Sequence, residues 1–165
     1  MNTLVKCRHI PVLALLPLLG FAHRGNAQSS WLLGGELGMS IVSGGGSSNA
    51  GFQIGPLGEV IFNKNFAVGS EFTINSQAGT PVVWVNYFKY YFKVTGSKIR
   101  PYADGGFLLD FVASGPYFGL LFGGGANFWL ARDMYIPADI QLGPIFGDPT
   151  AFDFAITTGV RFEIP

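Results

Sequence analysis

The side chains best suited to catalysis lie where a fold can use them least. The only histidines, His9 and His23, and the only cysteine, Cys7, all precede residue 28. Beyond that point the chain has no imidazole for general acid–base work and no thiol nucleophile. Asp148 and Asp153 could form a carboxylate pair, but acids in a loop are ordinarily solvated, and their spacing is too loose for a calcium loop. Gly44–Gly46 and Gly123–Gly125 lack the partner residues of phosphate- or dinucleotide-binding glycine motifs. The more suggestive set is Glu36, Glu59, Glu71, Lys89, Arg100, Asp104, Asp139 and Arg161. Each alternates with apolar neighbours, so all eight fall on the polar faces of extended segments. Enclosed together, such groups must pair, because an isolated ion away from water is very costly. The expected chemistry is therefore a structural charge network, without catalysis, cofactor or metal.

The first segment is expected to be absent from the fold. Lys6, Arg8 and His9 precede an apolar run over 10–21, and Gly25-Asn26-Ala27 supplies small residues for cleavage, so 1–27 reads as a secretory signal peptide. The run is too short to cross a bilayer. Cys7 precedes it and is misplaced for lipid attachment. The expected domain, 28–165, keeps ten acids and seven bases and loses every cysteine and histidine, which excludes a disulfide scaffold. Charged residues make up 12% of the chain and hydrophobic ones 48%, which excludes a disordered or nucleic-acid-binding protein. The 24 glycines and 10 prolines argue against long helices.

Period-two alternation then recurs eight times, over 31–43, 52–62, 66–75, 82–94, 99–112, 117–130, 134–142 and 152–164. The fold class expected is all-β, an eight-stranded antiparallel up-and-down transmembrane barrel. Pro56 and Pro137 fall inside strands and predict a bulge or local break at each. The connections 63–65, 95–98 and 131–133 read as short turns. Those at 43–51, 75–81, 113–116 and 143–151 read as mostly longer loops, rich in Gly, Ser and Pro. Short turns at one end and longer loops at the other is the layout of an outer-membrane barrel with both termini periplasmic.

Two faces have to be told apart. The polar face is mostly Gly, Ser, Thr and Asn, unlike the lysine- and glutamate-rich exterior of a soluble protein. The apolar face carries aromatics near both strand ends: Trp31, Phe62, Phe66, Phe92 and Phe128 at the turn end, and Trp84, Phe111, Phe118 and Phe154 at the loop end. Two aromatic girdles mark the lipid–water interfaces. The last strand carries a polar residue, a spacer, glycine, two spacers, a hydrophobe, a spacer and a final hydrophobe, with Thr157, Gly159, Phe162 and Ile164 at the specified positions. In that pattern, and more weakly in Arg100-Pro101-Tyr102 running to Gly105-Gly106, the region 31–164 resembles the small eight-stranded outer-membrane barrels, OmpA-domain and OmpX-like, including those called porin family. Those barrels usually end in an aromatic residue, whereas this chain ends Ile164-Pro165. The resemblance implies an assembly signal in the last strand, and the barrel-assembly machinery and periplasmic chaperones as partners. Outer-membrane lipids would surround a monomer in the bacterial outer membrane.

Pairing Val94 with Ile99 sets Lys89 opposite Asp104. Arg161 with Glu36 across the closing seam is a second expected pair, and Arg100 over Trp129 an expected cation–π contact. All seven bases beyond residue 27 fall toward the turn end, while Asp110, Asp148 and Asp153 fall at the loop end, so the lumen is expected to be dipolar. An eight-stranded barrel is only wide enough for side chains to fill it. The expected function is therefore an integral outer-membrane barrel with a non-enzymatic structural or surface role. The alternatives are a lipocalin-like soluble periplasmic ligand-binding barrel, which requires Phe88, Phe118 and Phe122 to point inward, and a weak ion pore.

Overall fold

A computed structural model of the chain describes residues 29–77, 81–112 and 115–164. The expected signal peptide, 1–27, lies outside the described residues. Eight strands follow in order: β1 (Ser30–Gly44), β2 (Ser47–Phe62), β3 (Phe66–Asn75), β4 (Val82–Tyr91), β5 (Ile99–Val112), β6 (Gly115–Ala131), β7 (Met134–Phe146) and β8 (Ala151–Ile164). Each pairs antiparallel with the next, and β8 returns to β1, so the sheet closes on itself. Closure satisfies the backbone without any edge strand, the condition that hydrocarbon imposes.

The alternation sorts into an apolar exterior and a mixed interior. Phe52, Phe88, Leu130 and Phe122 stand on the outer surface, with 69%, 72%, 61% and 56% of their area exposed. The alternating partners on the same strands, such as Gln53, Lys89, Asn127 and Leu121, are buried inside. Outward polar groups are few. Ser70 accepts the Trp84 indole N–H at 2.8 Å, and Trp84 in turn stacks on Phe72.

The connections differ from the expected contrast between turns and loops. Residues 43–51 do not form a loop: β1 and β2 continue into it and turn over Gly45 and Gly46 alone, whose φ values of 58° and 81° are those of a two-residue hairpin. Likewise Val112 pairs with Gly115, so β5 and β6 are joined by two residues. At the opposite end β4 stops at Tyr91, three residues before the expected Val94, and residues 92–98 form the longest connection among all seven. Serine- and glycine-rich composition reads as loop in isolation. In a closed barrel the ladder hydrogen bonds are indifferent to side chains and carry the strands on.

The prolines give breaks without bulges. The β2–β3 pairing skips Gly55-Pro56 and resumes in unchanged register, and β7–β8 skips Ile136-Pro137 likewise. Each proline withholds one ladder donor. The carbonyl of Pro137 is satisfied by the Thr158 hydroxyl at 2.7 Å. The register shift that does occur lies in β6, between Trp129 and Ala131.

Candidate functional site

Inside the barrel the side chains form a polar centre between two apolar clusters. On the turn side Leu32, Leu57, Ile61, Ala67, Tyr91 and Tyr102 pack together. On the loop side Val85, Tyr87, Leu108, Leu121 and Ile145 do the same. The sequence carried a signal for these plugs. Where the inward face is also apolar, alternation gives way to short runs such as Trp31-Leu32-Leu33, Val60-Ile61-Phe62, Phe107-Leu108-Leu109 and Leu120-Leu121-Phe122. The loop-side plug leaves a cavity of about 20 Å³, bordered by Ser40, Gln53, Glu71, Asn75 and Gln141. That is room for about one water molecule and no solute.

Arg161, from β8, is the hub of the centre and is 1% exposed. Its guanidinium reaches Glu36 of β1 at 3.3 Å and Asp139 of β7 at 3.4 Å. It also donates to the Asn127 side-chain oxygen at 3.2 Å and to the Tyr102 hydroxyl oxygen at 3.4 Å. Tyr102 in turn donates its own hydroxyl hydrogen to Asp139 at 2.9 Å. A planar fork with several donors suits this role better than an ammonium would. The expected Arg161–Glu36 pair is thus present across the seam, with Glu71 packed beside Glu36 and Asp139 as a further partner.

Lys89 departs from expectation. Its backbone faces Asp104, as the turn-based register requires, but its ammonium goes to Glu59 at 3.0 Å. Between Lys89 and Glu59 on β3 stand only the small residues Ala67, opposite Lys89, and Gly69, which lies between Glu59 and Tyr87 in the pairing order. A Cβ on Gly69 would come within 2.3 Å of the Tyr87 ring. The missing side chain lets Tyr87 lie across β3 and donate to Glu59 at 3.3 Å, while Tyr91 donates to the other oxygen. Lys89 lies beside the gap, with its charge over the rings of Tyr102 at 4.2 Å and Tyr87 at 4.6 Å. Neither carboxylate oxygen of Asp104 has a protein donor. The Asn127 amide donates to the Tyr91 hydroxyl at 3.5 Å, joining the Glu59–Lys89 and Arg161 halves into one network. Five acids, Glu36, Glu59, Glu71, Asp104 and Asp139, thus face two enclosed cations, Lys89 and Arg161.

Arg100 is also placed differently. It caps the centre from the turn end, stacking over Tyr91 at 4.0 Å and donating to the Lys64 carbonyl at 2.5 Å. Trp129 packs on Tyr135 instead. The residues that the sequence set aside, Tyr87, Tyr91, Tyr102 and Asn127, supply most of the hydrogen bonds between the charges. They lie on the expected polar face, but tyrosine is also an interface residue, and nothing in its spacing distinguishes the two uses.

The outer face places Phe66, Phe92, Phe111, Phe118 and Phe128 in the open, and leaves Trp31, Phe62, Trp84 and Phe154 partly covered by neighbours. Phe118 stacks between Phe107 and Phe146. In β8, Thr157 is buried and points inward, while Phe162 and Ile164 point outward. Gly159 packs so tightly on β1 that a Cβ would stand 2.1 Å from the Gly35 carbonyl. Among the described residues no three His, Cys, Asp or Glu side chains are arranged to hold a metal ion.

No family model and no curated protein sequence matches the chain. Solved structures do. Neisserial surface protein A superposes with a TM-score of 0.65 at 17% identity, over 80% of this chain and 96% of the other. The N-terminal β-barrel domain of Pseudomonas aeruginosa OprF gives 0.61 at 14% identity, over 84% and 99%. At these identities the likeness is one of fold: the chain has the architecture of the small eight-stranded outer-membrane β-barrels.

Proposed function

We propose that this protein is an integral outer-membrane barrel with a non-enzymatic structural or surface role and a lumen closed to solutes. The observation that carries the proposal is the pairing of an apolar exterior with a charged, packed interior in one closed sheet. Phe88, Phe118 and Phe122 all point outward, the opposite of what an internal apolar ligand site requires. In water such a continuous apolar band would aggregate, whereas in hydrocarbon it is the solvated surface. The interior carboxylates are engaged with or crowded beside Arg161 and Lys89 and lie between two apolar plugs, which supports a scaffold rather than a catalyst. The experiment is gel mobility of boiled against unboiled protein from membrane fractions, together with fluorescence quenching by lipid-attached bromine. A heat-dependent shift with quenching is expected. Unshifted protein recovered in the soluble periplasm overturns the proposal.

A further inference from the structure

The turn end of the barrel is built asymmetrically around the β6 bulge. Lys98, before β5, and Arg132, after β6, flank Trp129, Leu130 and Ala131, and together these five residues line a shallow depression of about 320 Å³. The register shift between Trp129 and Ala131 falls in the middle of it. Bulges re-aim side chains and are over-represented at sites of function. Here the bulge leaves Leu130 61% exposed and Trp129 43% exposed at the rim. The outer surface therefore runs from hydrocarbon-facing side chains, through Leu130, to two cations, while Trp129 packs inward on Tyr135. No carboxylate lines the depression, and no ion pair among the described residues engages Lys98 or Arg132. Asp133 follows Arg132 but lies exposed on the turn, outside the depression. The charge is part of a larger pattern. Lys64, Lys93, Lys98, Arg100 and Arg132 gather at this end against Asp133 and Glu163, and the Glu163 carboxylate is already taken by Ser30 and Tyr135. The opposite end carries Asp110, Asp148 and Asp153 and no base.

We infer that the depression between Lys98 and Arg132 binds the headgroup phosphate of an anionic phospholipid in the leaflet at the turn end. The acyl chains run along the outward-facing Leu130 and Phe128. This inference rests on the membrane reading above, and it adds which leaflet the barrel grips and by what chemistry. A zwitterionic headgroup offers the same phosphate but brings its own cation beside it, which Lys98 and Arg132 repel, so the site discriminates by net charge.

The test uses the full chain refolded into vesicles of equimolar phosphatidylglycerol and phosphatidylcholine, with co-purifying lipid measured by native mass spectrometry. Wild type is expected to retain phosphatidylglycerol preferentially. The K98Q/R132Q variant is expected to lose the preference by up to roughly 25-fold, at about fivefold for each basic side chain near a membrane surface. K98R/R132K, which keeps both charges, should retain it. Heat-dependent gel mobility confirms that every variant is folded. Equal retention of the two lipids by folded wild type, or an undiminished preference in K98Q/R132Q, overturns the inference and leaves the membrane reading standing. A wild type that neither shifts on the gel nor retains any lipid overturns both.

Discussion

Replacing Arg161 by methionine, which is of similar length and apolar, tests whether the lumen behaves as a sealed interior. The guanidinium makes two ion pairs, at 3.3 and 3.4 Å, and donates to two neutral oxygens, at 3.2 and 3.4 Å. Adding four hydrogen-bond energies would overstate the loss, because the wild-type side chain was itself desolvated. The greater cost lies in the carboxylates that the substitution strands. Glu36 and Asp139 are each 2% exposed, and one oxygen of each already lacks a protein donor. Removing one partner from such a buried pair costs about 3–5 kcal/mol. The uncompensated charge, rather than the lost contacts, dominates that figure. The triple variant R161M/E36Q/D139N should therefore recover at least half of it, since partners in one network are not additive. The assay is urea unfolding in phospholipid vesicles, followed by tryptophan fluorescence and by gel mobility. If R161M falls within about 1 kcal/mol of wild type, as exposed ion pairs do, the lumen is hydrated and the sealed-interior reasoning fails.

Three further outcomes follow from the same structure. Phe122→Arg, on the outer face near the middle of β6, should cost about 2–4 kcal/mol in lipid, and an unchanged refolding yield would contradict that placement. Gly69→Val should lose about 1–3 kcal/mol by overpacking, because its Cβ meets the Tyr87 ring at 2.3 Å and displaces the Tyr87–Glu59 hydrogen bond; unfolding in urea measures it, and a wild-type midpoint refutes it. Planar bilayer recordings of wild type and Lys89→Gln should both be flat, since the loop-side cavity holds about 20 Å³; conductance steps that change with the substitution would restore the ion-pore alternative.

The strands were legible because lipid on one side and packed side chains on the other impose a strict period of two. The β4–β5 register could also be read, since a turn fixes it, and Lys89 does face Asp104 along the backbone. The charge partner could not be read the same way. A lysine reaches about as far as the neighbouring strand's neighbour, and between Lys89 and Glu59 stand only Ala67 and Gly69, residues too small to announce a role. The hairpin at Gly45-Gly46 was hidden by composition, because residues 43–51 carry the Ser and Gly of a loop and none of the alternation of a strand. The apolar plugs were visible only as interruptions of that alternation.

The order in which the chain is made gives the position of Arg161 a further meaning. Glu36 and Glu71 belong to β1 and β3, and Asp139 to β7, yet their cation arrives on β8, the last strand. β8 pairs with β7 and so carries Arg161 beside Asp139, but until β8 docks on β1 the other side of the gap holds Glu36 without that cation. A carboxylate of that kind resists leaving water unpaired. Zipping the seam and giving Glu36 its counterion are therefore one event.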